Sequence, residues 1–390
     1  MDFSLTEEQK LFRDTLRDFV NKEIRPVAQE WEASGRYPTE IVDGMKEMGL
    51  FGLTVPEEYG GLGVDMVSFA LVFEEISKGW MGIAGILGSH SLACWMINKH
   101  GTEEQKARLL PDLAAGRRRT GIGLTEPGAG TDLQGISTTA RLGGEHSDYY
   151  IVNGSKTWIT NARHADPLPV LVKTDPTATP AHKGMSVLLI DADTPGFTVS
   201  RDLPKLGYKG TESCEIVLDD VRVPKENLLG GVEGRGMQQV LGGLEVGRIN
   251  VAARSLGIAQ AAYDEALGYA AQREAFGKPI HDFQAVQLKL AEMAIKVQAS
   301  RLLVYWAASQ ADAGHRVDME AGMAKTFASE AAMECALTSM QVHGGYGYSK
   351  EFVVERLFRD APLMSIGEGT NDIMRTVIAK ALTSGKGVIG

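Results

Sequence analysis

The spacing of apolar residues changes twice along this chain, and those changes constrain its fold more than any other feature. Between about 120 and 230, short apolar runs are separated by glycine, proline, asparagine and aspartate, a pattern typical of β-strands joined by turns. On both sides of this region, apolar residues recur at helical spacing. The runs lie too close together for crossover helices, so the middle sheet should be mainly antiparallel. The clearest runs are YYIVNG, PVLVKT, MSVLLID and EIVLDDVRV.

These changes divide the chain into three predicted domains. The chain has 390 residues, 44% of them hydrophobic, which is enough to build two or three cores. The sequence therefore predicts an α+β protein with an N-terminal helical domain over 1–118, a middle antiparallel β domain (a small barrel or sandwich) over 119–233, and a C-terminal four-helix-bundle domain over 234–390. Alanine and glycine in the last domain permit close helix packing.

The first helices carry clear start and stop signals. Thr6 with Gln9, and Thr102 with Gln105, each have the spacing of a capping box. In that motif the threonine hydroxyl accepts from the backbone N–H of the glutamine, and the glutamine side chain accepts from the backbone N–H of the threonine. The first helix should end near Pro26, because proline lacks the donor that a helix interior needs. Its expected apolar stripe consists of Leu11, Phe12, Leu16, Phe19 and Val20.

Composition excludes several classes of protein. The 50 acidic residues outnumber the 40 basic ones, which argues against a nucleic-acid partner. Cys94, Cys214 and Cys335 have the spacing of neither a disulfide framework nor a metal site, so we expect reduced thiols, no metal and a cytoplasmic location. The N-terminus lacks the order of a secretion signal, and no run approaches the roughly 20 apolar residues that would span a bilayer. We therefore expect no membrane partner.

Two segments of the β region have the residues of a binding site. Leu124–Asp132, L-T-E-P-G-A-G-T-D, combines glycines that admit a flat ligand with polar groups for its edge, but it also fits a plain turn between helix and strand, and it lacks the G-x-G-x-x-G order. Asn153–Asn161, N-G-S-K-T-W-I-T-N, predicts a tight turn at Asn153–Gly154 followed by a strand with Trp158 and Thr160 on one face. That tryptophan would either cover an aromatic cofactor or belong to the core.

Three further segments complete a recognisable order. They are the R-E-A-F-G junction at 273–277, the Q-V-H-G-G-Y-G-Y turn at 341–348 and E-G-T-N at 368–371. Each alone is compatible with a helix junction. Together with T-E-P-G-A-G-T-D and K-T-W-I-T-N, and on a helical, β, helical plan, they resemble the acyl-CoA dehydrogenase family over essentially the whole chain.

The resemblance implies FAD as the cofactor, bound between the β domain and the C-terminal helices of a homotetramer. It implies that the flavin is lined by Ile122, Leu124, Thr125, Gly130, Thr131, Trp158 and Thr160. Arg273, Phe276, Gln284, Gln341 and Gly345 would reach the FAD of the adjacent subunit, with Thr370 and Asp372 also at the cofactor. Substrate acyl-CoA would contact Thr131, Glu245, Arg248, Gly367 and Gly369. The expected electron acceptor is an electron-transferring flavoprotein.

The implied reaction is α,β-dehydrogenation of an acyl-CoA to the trans-2-enoyl-CoA, as in fatty acid β-oxidation, with Glu368 as the base that removes the α-proton and flavin N5 as the acceptor of the β-hydride. A thioester α-proton is far less acidic than a solvated glutamic acid, so we expect burial to raise the pKa of Glu368. Some relatives place the base at the position of Gly247, and glycine cannot serve. Gly367 stands where many relatives have tyrosine, so we expect short, medium or branched acyl groups.

Two alternatives stay open at this point. Some proteins on the same scaffold are flavin-dependent oxidases or monooxygenases, in which reduced flavin reacts with oxygen. The second alternative is a binding protein that kept the fold but lost the activity. Flavin absorbance and anaerobic bleaching by acyl-CoA separate the three.

Overall fold

The computed structural model of the chain describes residues 4–144 and 147–385. The N-terminal region consists of helices α1 (Glu7–Phe19), α2 (Arg25–Ser34), α3 (Thr39–Glu47), α4 (Met66–His100) and α5 (Glu103–Ala114). Both predicted capping boxes form: Thr6 Oγ1 accepts from the amide of Gln9 at 3.1 Å, and Thr102 Oγ1 from that of Gln105 at 3.2 Å. Local signals therefore set these helix starts.

The expected stop near Pro26 is wrong in its details. The first helix ends at Phe19 and is followed by a short π-helix over Val20–Ile24. Helix α2 continues directly from it, with Pro26 in its first turn. Proline is tolerated there because a first-turn amide has no intrahelical partner. The expected stripe also loses Leu11, whose surface is 71% exposed, while Leu16 and Val20 are buried.

Helix α4 crosses the centre of the molecule. By length and composition alone it could span a membrane, contrary to the expectation from the sequence, but 89% of its most apolar window is buried inside the protein. Its backbone leaves helical geometry at Trp80 (φ −161°, ψ 106°). Trp80 lies in the core at this break, where it is 1% exposed.

The middle region forms one six-stranded sheet in the order β4–β3–β1–β2–β6–β5. The strands are β1 (Thr139–Leu142), β2 (Tyr149–Thr160), β3 (Leu168–Lys173), β4 (Met185–Ile190), β5 (Phe197–Asp202) and β6 (Ser213–Pro224). Every pair is antiparallel except β1 with β3. The predicted antiparallel character is therefore confirmed, with one parallel contact.

The predicted turn at Asn153–Gly154 is wrong. These residues lie inside the continuous strand β2, at a register shift against β6. The Asn153 side chain donates to Asp220 Oδ1 and accepts from the Asp220 amide, both at 2.9 Å, so it ties β2 to β6. A Cβ on Gly154 would lie 2.4 Å from Thr138 Oγ1, which explains the glycine by close approach.

The C-terminal region is again helical, with α6 (Gly236–Gln272), α7 (Gln284–Asp312), α8 (Asp318–His343), α9 (Val354–Ile366) and α10 (Asn371–Thr383), and a short hairpin of β7 (Glu274–Ala275) and β8 (Lys278–Pro279) between α6 and α7. Helix α6 packs against both α8 and α4. The approach to α4 is close, since a Cβ on Gly257 would lie 2.5 Å from the Glu74 carbonyl oxygen. The predicted α+β class is confirmed.

Candidate active site

Glu368 occupies a short turn between two helices. Helix α9 ends at Ile366 and α10 begins at Asn371, with Thr370 as its N-cap, whose hydroxyl accepts from the amide of Ile373 at 3.3 Å. Glu368 has a φ of 57° and Gly369 a φ of 91°. A left-handed conformation is strained for glutamate and persists where the surroundings hold it. The turn therefore presents one carboxylate in a fixed place.

A buried lysine holds this turn from α8. Lys325 is 0% exposed, and its Nζ donates to the carbonyl oxygen of Gly369 at 2.7 Å and to Asn371 Oδ1 at 3.0 Å. Asn371 in turn donates to Ser329 Oγ at 3.0 Å. Burial lowers the pKa of Lys325 to about 8, although the negative charge of Glu368 opposes this shift. The cation thus supports the backbone of the turn and lies within electrostatic range of its carboxylate.

The carboxylate of Glu368 lies against α6. A Cβ on Gly247 would be 2.4 Å from Glu368 Oε2 and 3.2 Å from Leu92 Cδ1, so glycine is what leaves room for the carboxylate there. The Oε2 atom is buried and has no hydrogen-bond partner in the described part of the chain. Burial raises the pKa of Glu368, and nearby Arg254, Arg248 and Lys325 oppose the rise.

Two expected substrate residues lie one helical turn apart, on either side of Gly247. Arg248 is 6% exposed, and its Nη1 donates to Asp318 Oδ1 at 3.0 Å. Glu245 is partly buried and lies 3.5 Å from Arg316 Nε. Burial raises the pKa of Glu245, and the negative charge of Asp318 adds to the rise. Arg248 is therefore a buried neighbour of the Glu368 site, fixed by Asp318.

The glycine-rich loop at 124–132 is anchored by a buried ion pair. Lys156 is 0% exposed, and its Nζ donates to Glu126 Oε1 at 2.8 Å and to the Leu124 carbonyl oxygen at 3.1 Å. The Glu126 carboxylate also accepts from the amides of Ser137 and Thr138. Burial alone would raise the pKa of Glu126, but these hydrogen bonds lower it to about 2. The pair fixes the loop to β2 beside Trp158.

The strand that carries Trp158 is not regular at that point. Trp158 has a φ of 61°, and the register of β2 against β6 shifts between Lys156 and Ile159. The two-residue period that predicted a shared face for Trp158 and Thr160 therefore does not hold there. Trp158 is 57% exposed and Thr160 is partly buried. The interpretation of Trp158 as a core residue is excluded.

Four glycines of two predicted cofactor segments face open space, and this observation tests whether FAD fits. A Cβ on Gly128, Gly344 or Gly345 would meet no atom within 4 Å, and one on Gly130 would reach only Thr125 Cγ2 at 4.0 Å. Thr131 is exposed in the same loop. Ile122, Leu124 and Thr125 are partly buried behind it. An exposed aromatic ring beside an open loop with free backbone is compatible with a flat, polar-edged cofactor.

The residues expected to serve the adjacent subunit are exposed on this one. Phe276 is 97% exposed with a φ of 52°, an unfavourable position for a large apolar ring in water. Lys289 Nζ donates to Gln341 Oε1 at 2.6 Å, which links α7 to the end of α8. Arg273, Gln284, Gln341, Gly345 and Asp372 are also exposed. In a single chain, all of these residues are therefore exposed to solvent.

Sequence reasoning missed Lys325, the Glu126–Lys156 pair and Arg254. Each is a charged residue that is nine-tenths or more buried. For Lys325 and Arg254 the available signal was a charge within an apolar helical segment, A-K-T-F-A and V-A-A-R-S respectively. A buried charge needs a partner or a function, but the sequence does not say which residue provides it.

Other features of the surface lie elsewhere. A cavity of about 620 Å³ between α1, α4 and α7 is lined by charged side chains, including Arg13, Arg17 and Arg301, and not by Glu368. No group of three or more His, Cys, Asp or Glu residues within 4–144 and 147–385 could hold a metal ion. Neither feature involves Glu368, which therefore stays the candidate site on the geometry described above.

Comparisons with known proteins agree along the whole chain. Family models for the N-terminal, middle and C-terminal domains of acyl-CoA dehydrogenases match residues 6–117, 121–221 and 234–383. An acyl-CoA dehydrogenase of Bacillus subtilis is 43% identical over 382 residues, 98% of this chain and 99% of that protein. A caffeyl-CoA reductase–Etf complex subunit of Acetobacterium woodii is 41% identical over 380 residues, 97% and 98% of the two chains. The structure of butyryl-CoA dehydrogenase from Megasphaera elsdenii is similar with a TM-score of 0.94 and 39% identity, covering 98% of this chain and 100% of that one.

Proposed function

Because the chain belongs to the acyl-CoA dehydrogenase family, whose members are FAD-dependent oxidoreductases, we propose that it converts an acyl-CoA to the trans-2-enoyl-CoA with Glu368 as the catalytic base. The observation that carries this proposal is the buried Oε2 of Glu368, which has no hydrogen-bond partner in the described structure. A buried carboxylate oxygen without a partner is costly unless a function retains it.

The raised pKa suits Glu368 to this task. Removal of a proton α to a thioester carbonyl needs a stronger base than a solvated carboxylate, and burial supplies part of the difference. The left-handed turn and the hydrogen bonds from Lys325 fix the carboxylate before substrate arrives. Binding of the acyl chain would exclude the remaining water and strengthen the effect.

The family cofactor, when bound, supplies flavin N5 as acceptor of the β-hydride. We assign its contacts to the open loop with Ile122, Leu124, Thr125, Gly130 and Thr131, to Trp158 and Thr160, and to Thr370 and Asp372. The Glu126–Lys156 pair keeps that loop in place. The backbone amide of Glu368 would donate to the thioester carbonyl and stabilise the enolate that forms there.

The acyl group should enter beside Gly367. A Cβ on Gly367 would meet only the Leu363 carbonyl oxygen, at 3.6 Å, so a larger side chain has room there and its absence leaves space. Short, medium or branched acyl groups are the proposed substrates. Gly367→Tyr tests this: relative kcat/KM for branched over straight acyl-CoAs should fall several-fold. An unchanged ratio would show that Gly367 does not set the width of the cavity.

The exposed set at Arg273, Phe276, Gln284, Gln341 and Gly345 supports a homotetramer in which each subunit completes the FAD site of its neighbour. Burial of Phe276 against a second chain would remove its ring from water. An electron-transferring flavoprotein is the proposed acceptor, and the cytoplasm the proposed location. Light scattering of the purified protein and reduction of that flavoprotein by acyl-CoA are the direct measurements.

The direction of the reaction admits a second candidate. One relative is named as a subunit of a reductase–Etf complex, so net reduction of an enoyl-CoA is the same chemistry run backwards. In that direction Glu368 would return the proton to the α-carbon. An oxidase or monooxygenase would differ, because its reduced flavin would react rapidly with oxygen.

The deciding experiment compares wild type with Glu368→Gln on a panel of acyl-CoAs and an artificial electron acceptor. Wild-type flavin should bleach anaerobically with its preferred acyl-CoA, and kcat of the variant should fall by about 10⁴-fold, the upper range for a general base. The variant should keep FAD absorbance and still bind acyl-CoA. Near-normal turnover by the variant would refute the assignment of the base, and fast reoxidation in air would favour the oxidase.

A further inference from the structure

A second charged residue near Glu368 has no anionic partner among the described residues. Arg254 is 7% exposed and forms no ion pair within the described residues. Its Nη2 lies 2.8 Å from Met81 Sδ, which is a weak acceptor, and its Nε has no partner. A guanidinium is always charged, so its burial without an anion costs free energy that the folded chain alone does not recover.

Arg254 lies on the same face of α6 as Gly247. Residues seven apart in a helix are two turns apart on one face, about 10 Å along the axis, and helical side chains lean toward the N-terminus. A Cβ on Gly247 would lie 2.4 Å from Glu368 Oε2, and the charge of Arg254 opposes the raised pKa of Glu368, so the guanidinium lies on the same side of α6 as the base and within electrostatic range of it. It also lies 5.1 Å from the centre of the Tyr208 ring.

Helix α4 carries glycines where it lies against Tyr208 and Asn250. A Cβ on Gly85 would lie 1.8 Å from Tyr208 Oη, and one on Gly88 would lie 2.5 Å from Asn250 Nδ2. The Tyr208 hydroxyl and the Asn250 amide therefore occupy the space that side chains at these two glycines would fill. Asn250 Oδ1 and Trp80 Nε1 are buried without partners in the described part of the protein. An apolar lining would suit a purely aliphatic acyl end better than these groups do.

We propose that Arg254 binds a carboxylate at the far end of the acyl group, so that the preferred substrate is the CoA monothioester of a short dicarboxylic acid. The proposal rests on the proposed function and specifies its substrate class. A carboxylate would accept two hydrogen bonds from the guanidinium, with Tyr208 Oη as a further donor. It takes no part in bond making: Glu368 still receives the α-proton, the flavin the β-hydride, and the carboxylate stays on the product.

A competing role for Arg254 is purely electrostatic, because its charge also opposes the raised pKa of Glu368. The two roles predict different results. Loss of a general electrostatic effect would change kcat for all acyl-CoAs alike and shift its pH profile. Loss of a carboxylate-binding group would act on the ratio between substrates that carry the carboxylate and those that do not.

The test uses the holoenzyme with an artificial acceptor and matched pairs of thioesters: succinyl- with butyryl-CoA, glutaryl- with valeryl-CoA, and adipyl- with hexanoyl-CoA. Wild type should prefer one carboxylated member over its partner in kcat/KM. Arg254→Met should lower that preference by about 100-fold, because a site built for a polar group discriminates strongly once the pairing is lost. Arg254→Lys should keep part of it, since the charge remains without the planar fork.

Tyr208→Phe provides a second variant in case Arg254→Met does not fold. It removes the hydroxyl and keeps the ring under the guanidinium, and the preference should fall by about fivefold. Dissociation constants from the change in flavin absorbance in Glu368→Gln should show the same order without turnover. The inference is overturned if the wild type prefers the thioester without the carboxylate in every pair, or if Arg254→Met lowers kcat/KM equally for both members of the preferred pair. Either result leaves the proposed function intact. A wild type that no thioester reduces refutes the proposed function itself.

Discussion

Glu74 is a buried residue and Glu368 is a partly buried residue with a buried carboxylate oxygen, and the two carboxylates differ in what surrounds them. Glu74 on α4 accepts from Arg301 Nη2 at 2.8 Å and Tyr305 Oη at 2.9 Å, and lies 3.1 Å from Lys78 Nζ. Burial would raise its pKa, but these cations and hydrogen bonds lower it to about 2. Glu368 has three cations nearby but no partner for Oε2, and burial raises its pKa. Hydrogen-bond partners, more than burial, thus separate a structural carboxylate from the proposed base.

The largest expected effect comes from removing the charge of Glu74. Glu74→Gln leaves the partly buried Arg301 without its anion and Lys78 with Glu75 alone, so the free energy of unfolding in urea should fall by about 3 to 5 kcal/mol. The exposed pair of Glu226 with Arg108 is the matched control, since Glu226→Gln should cost less than about 1 kcal/mol. Equal losses in the two variants would show that Glu74 is not a structural anchor.

The next effect comes from crowding Glu368. Gly247→Ala places a methyl group where Glu368 Oε2 now lies, and the displaced carboxylate should lower kcat by about 100-fold, as expected for a shift of about 1 Å in a reacting group. Gly268→Ala is the control in the same helix, because a Cβ there meets no atom within 4 Å. That variant should keep wild-type kcat. A normal kcat in Gly247→Ala would mean that the carboxylate acts from another position.

A smaller effect should follow from loosening the turn. Lys325→Met removes the hydrogen bonds to Gly369 and Asn371 and should lower kcat by about tenfold, within the range for a group that orients a reacting residue. It also removes a cation that lowers the pKa of Glu368, so the acid limb of the kcat profile should move to higher pH. Asn371→Ser keeps the charge and weakens the turn, so its kcat should fall without that movement. An unshifted profile in Lys325→Met would limit the lysine to a structural role.

The smallest effect is the opposite pH dependence of stability at the two carboxylates. The lowered pKa of Glu74 contributes stability above the ordinary value of 4.5, and this contribution is lost as pH falls toward about 2. The raised pKa of Glu368 has the reverse sign: the folded state binds the proton more tightly, so ionisation reduces stability as pH rises above 4.5. Urea unfolding of Glu368→Gln should therefore show a gain over wild type at neutral pH that disappears below 4.5. A constant gain at all pH values would contradict the raised pKa.

Local signals predicted part of this structure well. The boxes at Thr6 and Thr102 lie within one turn of the helix starts that they predicted, because a cap depends on residues three apart. The Asn153–Gly154 turn failed because the cross-strand pairing of Asn153 with Asp220 overrides the turn preference of the dipeptide. The prediction of a helix end near Pro26 failed because a short π-helix over Val20–Ile24 places Pro26 in the first turn of α2, where proline is tolerated.

The sequence by itself determined the helical, β, helical order of the chain, and it singled out Glu368 as the candidate base through neighbouring motifs. Only the tertiary structure decided the chemical state of Glu368. That state depends on Gly247 of α6, which leaves room for the carboxylate, and on Lys325 of α8, which holds the turn, and both reach Glu368 only when those helices pack. Burial and the placement of charges are properties of the packed chain, so residues distant in the sequence set the pKa of Glu368 and leave Arg254 without an anion of its own in the described structure.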